Sequence, residues 1–284
     1  MTQHPEIVTR FAPSPTGYLH LGHVRSAWEG WHAARAAGGR FLLRIEDIDR
    51  GRCRPEFDAA IREDLAWLRL DWDGEVRRQS EHFADYRAAL ARLDTQGLLY
   101  PCFCTRKDIQ AEIAQAGGAP QGDDGPVYPG TCRDLSPSER AQRIASGIDH
   151  ALRLDVAAAL AQTGPLDWYE DGRRTAADPT VLGDVVLARK DVPTSYHLAV
   201  TVDDALQGVT LVTRGADLFA ATHIHRLLQA LLNLPTPAYR HHSLLTDANG
   251  RRLAKRDRAL TIRAMRDAGL SAAEVLEKAQ SNAR

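Results

Sequence analysis

Two histidines three positions apart, His20 and His23, have Gly22 between them and follow a short apolar run and a Pro13-Ser14-Pro15-Thr16-Gly17 loop. At helical spacing the two imidazoles share one face. Gly22 lets a flat ligand come close to the backbone, and a helix N-terminus there presents positive potential to phosphate. Taken alone, H-x-G-H is equally a helix cap. Far along the chain, Arg251, Arg252, Lys255, Arg256 and Arg258 put five basic residues within eight positions, after a turn signal at Asn249-Gly250. A lysine in such a loop can reach the phosphates of a nucleotide, and the plain alternative is a solvated cationic loop. A third constellation is Cys102-x-Cys104 followed by Tyr128-x-x-x-Cys132. Thiols one residue apart suit a metal better than a disulfide, yet three cysteines leave tetrahedral Zn²⁺ one ligand short. No histidine lies between Cys104 and Cys132, so the Tyr128 phenolate is the best remaining fourth ligand. Cys53 reads as a free thiol.

These residues need a scaffold. Ile7 to Ala12 reads as a buried strand, Leu19 to Ala37 as a helix closed by Gly38-Gly39, Arg40 to Ile45 as a second strand, and Pro55 to Leu70 as a second helix. Alternation of this kind predicts an α/β fold with a parallel sheet and crossover helices, with ligands at the carboxyl ends of the strands. The loop at 13–18 lies at such an end. After a helix at Tyr86 to Gln96 the sequence changes character, and Gly117 to Gly130 reads as a mobile loop rich in Gly, Pro and Asp. Alternating patterns resume at Leu152 to Leu154, and Tyr196 to Val202 reads as a strand ending in Asp203-Asp204. Asp217 to Leu232 reads as a helix stopping before Pro235, and Arg240 to Leu245 as a further strand. The expected organisation is residues 1–99 as the first half of the α/β domain, 100–190 as an inserted module holding the candidate zinc ligands, and 191–284 as the second half with the basic loop and a C-terminal helix.

Composition narrows the partners. The 284 residues carry 36 Lys plus Arg against 37 Asp plus Glu, a net charge of -1, so nothing draws the whole molecule to a polyanion. RNA contact would need locally sorted cations, and Arg251, Arg252, Arg256 and Arg258, together with the cysteine module, are the first candidates. The N-terminus has no signal-peptide pattern and no window approaches eighteen apolar residues, so a cytoplasmic protein with no membrane partner is expected. Four cysteines are too sparse for a disulfide scaffold and fit a reducing compartment.

Together the histidine and lysine segments resemble the paired HIGH and KMSKS signatures of class I aminoacyl-tRNA synthetases. Arg10 to Gly17, His20 to His23, and Arg44-Ile45-Glu46-Asp47-Ile48-Asp49, in that order, resemble the glutamyl subgroup. One departure stands out: where the family has Lys-Met-Ser-Lys-Ser, this chain has Arg252-Leu253-Ala254-Lys255-Arg256, and Ala254 offers no hydroxyl. The resemblance implies a Rossmann-type catalytic domain that activates L-glutamate with ATP and Mg²⁺ to glutamyl-adenylate, then passes the glutamyl group to an RNA hydroxyl. By motif, His20, Gly22, His23 and Lys255 would bind ATP, with both histidines and the lysine catalytic. Arg10, Phe11, Ala12, Pro13 and Ser14 would line the glutamate pocket, Glu46 would receive the α-ammonium, and Tyr196 and Arg214 resemble the remaining glutamate contacts. A guanidinium can hold the side-chain carboxylate in a bidentate pair.

The cysteine and tyrosine pattern resembles the glutamyl-queuosine tRNA(Asp) synthetases, implying one structural Zn²⁺ on Cys102, Cys104, Tyr128 and Cys132, and queuosine-bearing tRNA(Asp) as acceptor. Only 28 residues follow Arg256, where a full glutamyl-tRNA synthetase continues into anticodon-reading domains. The alternatives are a truncated glutamyl-tRNA synthetase charging the acceptor end, a noncatalytic RNA-binding module, and a nucleotidylyltransferase. The adenylate-site residues weigh against the second of these, and the glutamate-pocket residues against the third.

Overall fold

The computed structural model describes residues 6–105, 107–109, 121–122, 125–245 and 261–281. In chain order these form β1 (Val8–Phe11), α1 (Leu21–Ala36), β2 (Arg40–Ile45), α2 (Pro55–Trp67), β3 (Arg77–Arg78), α3 (Phe83–Thr95), β4 (Leu99–Cys102), β5 (Gln121–Gly122), β6 (Gly125–Pro126) and α4 (Pro137–Ala145). There follow β7 (Ala151–Leu154), α5 (Val156–Thr163), β8 (Asp167–Glu170), β9 (Arg173–Ala176), β10 (Val186–Ala188), α6 (Tyr196–Leu206), β11 (Leu211–Gly215), α7 (Ala221–Leu231), β12 (Ala238–His242), α8 (Ile262–Asp267) and α9 (Ala272–Gln280).

All of β1 is buried, and it pairs in parallel with β2 from Val8↔Arg40 to Phe11↔Leu43, with β3 on the far side of β2. β11 pairs in parallel with β12 from Leu211↔Ala238 to Gly215↔His242. The two halves meet where Val8 N–H donates to Thr210 Oγ1 at 2.8 Å and Thr210 N–H donates to Val8 O at 2.9 Å. From this junction the chain winds outward in both directions, through α1 to β2 and through α7 to β12. That reversal opens a crevice at the carboxyl ends of β1 and β11, the place where open parallel sheets bind ligands. α1 lies close over the junction at Gly30, where a Cβ would come within 3.0 Å of Thr213 Oγ1 and 3.2 Å of the Phe41 ring.

One apolar core, with Phe11, Leu19, Val24, Phe41, Leu43 and Leu65, fills one side, and Ile262 and Val275 from the C-terminal helices join it. Another, with Tyr86, Leu93, Leu154, Leu198, Ile224 and Leu228, fills the other. β8 adds to the β11–β12 sheet in parallel with β12 at Tyr239↔Glu170 and turns back through β9. Strands β10, β7 and β4 form a separate antiparallel sheet. Among the described residues no helix is long and apolar enough to cross a membrane.

The structure corrects one element. Tyr196 to Val202 is the start of helix α6, not a strand. Leu198 through Asp204 are all buried, and a segment buried on every side loses the periodicity that separates a helix from a core strand. Thr201 Oγ1 donates to His197 O at 2.8 Å, so this buried hydroxyl is satisfied within the helix. The segment 246–260 that carries Lys255, and most of Gly117 to Asp124, lie outside the described residues.

Candidate active site

His20 is the N-cap of α1, and the two histidines act as a reciprocal capping box. Gly22 N–H donates to His20 Nδ1 at 3.1 Å and His20 N–H donates to His23 Nδ1 at 3.2 Å. With each Nδ1 accepting, each ring carries its proton on Nε2, so both imidazoles offer an N–H on the side away from the backbone. The rings stack with centroids 3.8 Å apart. Gly22 leaves room for the His20 ring, since a Cβ there would lie 3.0 Å from His20 Cε1. Thr261 bridges to His20 and Ile262 N–H donates to Leu19 O at 2.9 Å, so the chain returns to the histidine motif directly after the basic segment.

The strand before the loop supplies a buried ion network. Arg10 donates from Nε (2.9 Å) and Nη2 (3.2 Å) to the two oxygens of Asp204, and from Nη1 to Thr213 O (3.3 Å). Arg44, fully buried, donates to Asp204 at 2.8 Å, to Gln207 at 2.9 Å and to Glu46 at 3.2 Å. Burial pushes the Glu46 carboxyl above its ordinary value, against the pull of Arg44 and Arg10. The backbone of the loop closes on the same strand end, since Glu46 N–H donates to Pro13 O at 3.0 Å. Ala12 is half-buried, Pro13 buried and Ser14 exposed, whereas the Phe11 ring packs into the core.

Across the crevice, Arg214 is 5% exposed at the end of β11. It donates to His241 Nε2 (3.0 Å), Tyr196 OH (3.3 Å), His225 Nδ1 (3.2 Å) and Thr222 Oγ1 (2.6 Å). Among the described residues these partners are all neutral groups, so Arg214 carries a buried positive charge with no carboxylate paired to it. The histidines around it are held neutral. Burial and the Arg214 charge press His197 and His241 down to about 4, and His225 well below its ordinary value. Arg214, Glu46, Arg10 and Asp204 all lie close enough for their charges to act on the hydroxyl of the half-buried Tyr196.

Asp203, Asp204, Thr222, His225, Glu170 and His241 are absent from the sequence-derived site. The Asp203-Asp204 pair read as the end of a strand. On a helix Asp204 reaches Arg10 and Arg44, while Asp203 takes Arg77, Gln79 and Tyr86 at 2.7 to 2.9 Å. Two adjacent carboxylates closing an apolar run were the available signal.

A family model described as the catalytic domain of class I tRNA synthetases (E and Q) matches residues 6–278. The chain belongs to the class I tRNA synthetases. It is 52% identical over 275 residues to a glutamyl-Q tRNA(Asp) synthetase of Rhodobacter capsulatus, covering 95% of this chain and 98% of the relative. A glutamate–tRNA ligase 2 of Acidithiobacillus ferrooxidans is 42% identical, but this chain covers only 55% of it. Among solved structures, a glutamate tRNA ligase from Elizabethkingia meningosepticum in complex with its amino acid superposes with a TM-score of 0.74 at 28% identity, covering 89% of this chain and 52% of that one. The chain thus spans about half the length of the solved ligase.

This class I synthetase chain also assembles its cysteines. The Cys102, Cys104 and Cys132 sulfurs all lie within 4.8 Å of one another and could hold a metal ion. Tyr128 OH is 3.5 Å from the sulfurs of both Cys102 and Cys104, and Cys104 Sγ is 3.4 Å from Cys132 Sγ. The Arg153 guanidinium lies 3.7 Å over the Tyr128 ring. Burial opposes the Cys102 thiolate, but Tyr128 and Arg153 outweigh it and bring that thiol below its ordinary value. Burial and the neighbouring thiols push Cys104 up to about 12.

Proposed function

We propose that the protein activates L-glutamate with ATP and Mg²⁺ to glutamyl-adenylate and transfers the glutamyl group to queuosine in the anticodon of tRNA(Asp). The observation that carries the amino-acid choice is Arg214, a buried guanidinium whose described partners are all neutral. A buried unpaired charge is costly and is retained where an anionic ligand completes it. A glutamate side chain supplies that anion. The names of the most similar relatives support queuosine-bearing tRNA(Asp) as the acceptor.

In the activation step the substrate α-carboxylate attacks the α-phosphorus and pyrophosphate leaves, so no protein nucleophile is required. The Nε2–H groups of His20 and His23 donate to phosphate oxygens as charge develops there, at the positive end of α1. Gly22 keeps those rings in place, and Lys255 contributes a cation to the leaving pyrophosphate. Glu46 takes the substrate ammonium. Arg10 engages the substrate through its terminal nitrogens, each of which keeps one N–H beyond its bonds to Asp204 and Thr213. Ala12, Pro13 and Ser14 shape the loop beside it, with Phe11 fixed in the core beneath. Arg214 and Tyr196 receive the side-chain carboxylate. Four of the five Arg214 N–H groups are engaged, so the carboxylate takes a single Arg214 bond together with the tyrosine hydroxyl, or displaces a neutral partner to form a bidentate pair.

The four donors of the cysteine cluster suit Zn²⁺. Around a tetrahedral ion with the usual bond lengths, sulfurs stand about 3.8 Å apart and a phenolate oxygen about 3.5 Å from a sulfur. The Cys102, Cys104 and Cys132 thiolates and the Tyr128 phenolate would hold the ion, and its role is to fold the 100–190 module. That module, together with the arginines of the 251–258 segment, faces the RNA in this reading.

The deciding experiment offers ATP, Mg²⁺ and labelled glutamate with tRNA(Asp), with and without queuosine, and with tRNA(Glu). Label on queuosine-containing tRNA(Asp) alone is expected. Label on the acceptor end of tRNA(Glu) would replace this reading with a truncated glutamyl-tRNA synthetase.

A further inference from the structure

His241 stands between the half-buried Glu170 carboxylate and the buried Arg214 cation. Its Nδ1 lies 2.9 and 3.0 Å from the two oxygens of Glu170, and its backbone N–H also donates to Glu170 at 2.9 Å. Its Nε2 lies 3.0 Å from Arg214 Nε, which can only donate. The ring is 4% exposed and Glu170 17%. Only one tautomer satisfies both neighbours, with the proton on Nδ1 toward Glu170 and a bare Nε2 toward Arg214. The other tautomer would set two N–H groups against each other and leave a carboxylate facing a lone pair.

We propose that Glu170 and His241 are positioning residues for the substrate side-chain carboxylate: Glu170 fixes the His241 tautomer, His241 fixes Arg214, and the neutral ring between them keeps the Arg214 charge available to an anion. The contrast with Arg10 and Arg44 carries the argument. Those two guanidiniums are paired directly with Asp204, and Arg44 with Glu46 as well. At Arg214 the corresponding carboxylate is set back by the width of one imidazole. A carboxylate in direct contact would compete with the substrate for the same N–H groups, whereas an imidazole acceptor orients the guanidinium without neutralising it. The pocket is therefore selective for an acid over its neutral amide. Glu170 reaches this position from β8, outside the two winding halves of the sheet, because β8 pairs beside β12. The pair thus ties that strand to the amino-acid pocket. His225 and Thr222 complete the cradle from α7.

This inference rests on Arg214 receiving the glutamate side chain, and the test separates the two. Glutamate-dependent pyrophosphate exchange is measured for wild type, Glu170→Ala, Glu170→Gln and Arg214→Gln. Glu170→Ala is expected to raise the KM for glutamate about tenfold with kcat within about twofold and the KM for ATP unchanged, the scale of one lost orienting hydrogen bond. Glu170→Gln, whose amide oxygen still accepts from Nδ1–H, is expected to restore most of that KM. An unchanged glutamate KM in Glu170→Ala, or equal losses in both Glu170 variants, overturns the relay. An unchanged KM in Arg214→Gln instead overturns the underlying assignment of the carboxylate. Imidazole nitrogen NMR of the wild-type protein needs no variant to fold: a proton on Nδ1 of His241 is expected, and one on Nε2 overturns the proposal.

Discussion

Asp204 on α6 holds Arg10 of β1 in a two-point ion pair, with Nε at 2.9 Å and Nη2 at 3.2 Å from its two oxygens. The same carboxylate takes Arg44 at 2.8 Å, so one anion serves two buried cations. Asp204→Asn keeps the shape and removes the charge, leaving Arg10 and Arg44 short of a counter-ion. Breaking a buried pair from one side costs about 3–5 kcal/mol, and that loss in urea unfolding is the expected result. Soluble variant protein would also lose glutamate binding, because Arg10 is no longer aimed. An Asp204→Asn protein as stable as wild type would remove Asp204 from its place at the centre of the network.

Arg214 makes the opposite prediction for stability. Its charge is buried without a carboxylate partner among the described residues, so replacing it with a neutral side chain relieves a cost. Arg214→Gln is expected to unfold at the same or a higher temperature than wild type. Its affinity for glutamate should fall by about 2–5 kcal/mol, roughly thirtyfold to several thousandfold, as for truncating one side of a desolvated charge pair. A trade of this kind between stability and binding marks residues kept for function. Calorimetry and glutamate titration on one preparation read both effects.

How much of this was legible in the sequence differs residue by residue. His20, His23 and the Cys102 to Cys132 pattern lie in short motifs whose spacing suggests their chemistry, whereas Arg10 and Glu46 were marked only by the resemblance to the glutamyl subgroup. The β1–α1–β2 unit was legible because apolar runs alternated with helical stripes and Gly38 closed the helix. α6 was not, because a helix buried on all sides presents no polar face, and Val200-Thr201-Val202 has strand composition. Glu170 and His241 are 71 positions apart, and only the pairing of β8 with β12 joins them. No local pattern in either segment announces that contact. Most second-rank partners of the site are of this kind, created by topology.

Gly22→Ala tests the histidine motif without touching a polar group. The added Cβ would meet His20 Cε1 at 3.0 Å, so the imidazole has to shift by a few tenths of an ångström, which strains its bond with Gly22 N–H. Alanine is the better helix former by up to about 1 kcal/mol, which favours an intact α1. Expected, then, is a melting temperature at or above that of wild type and a pyrophosphate-exchange rate lower by about tenfold to a hundredfold, as for a misaligned phosphate donor. A rate equal to wild type would show that the His20 ring has no need of its present position.

Acid should weaken the fold first through its buried histidines. His197 and His241 titrate near 4 in the folded protein against an ordinary value of 6.5, so between those values the unfolded chain binds more protons than the native one. Their contribution is full above 6.5 and declines as the pH falls toward 4. Asp204, held below its ordinary 3.8 by its two arginines despite burial, adds a further loss at still lower pH. Glu46 and Asp64, both raised by burial and Asp64 to about 6, work the other way as they take up their protons, but they are outnumbered by His197, His225, His241 and His242, all lowered by burial. The urea midpoint is expected to fall steadily from about pH 7 to about pH 5, and a flat profile there would mean that these rings are not buried in neutral form.

Metal content separates the two readings of Tyr128. As a ligand, its phenolate completes the set formed by three thiolates. As a core aromatic, it only packs with Tyr100 and Phe103 under the Arg153 guanidinium. Without metal, burial and the adjacent thiols push its hydroxyl far above the ordinary phenol value, so ionisation there requires a cation to replace the proton. The wild-type protein is expected to hold about one Zn²⁺ by elemental analysis, the stoichiometry of a single tetrahedral site. Tyr128→Phe retains three thiols but leaves Cys132 N–H without its 2.9 Å acceptor, and it should release zinc to a chelator faster by about tenfold to a hundredfold. Cys132→Ser should lose the metal and become protease-sensitive around Phe103. Zinc held equally tightly by Tyr128→Phe would return Tyr128 to the core, and a well-folded wild type free of zinc would remove the metal site altogether.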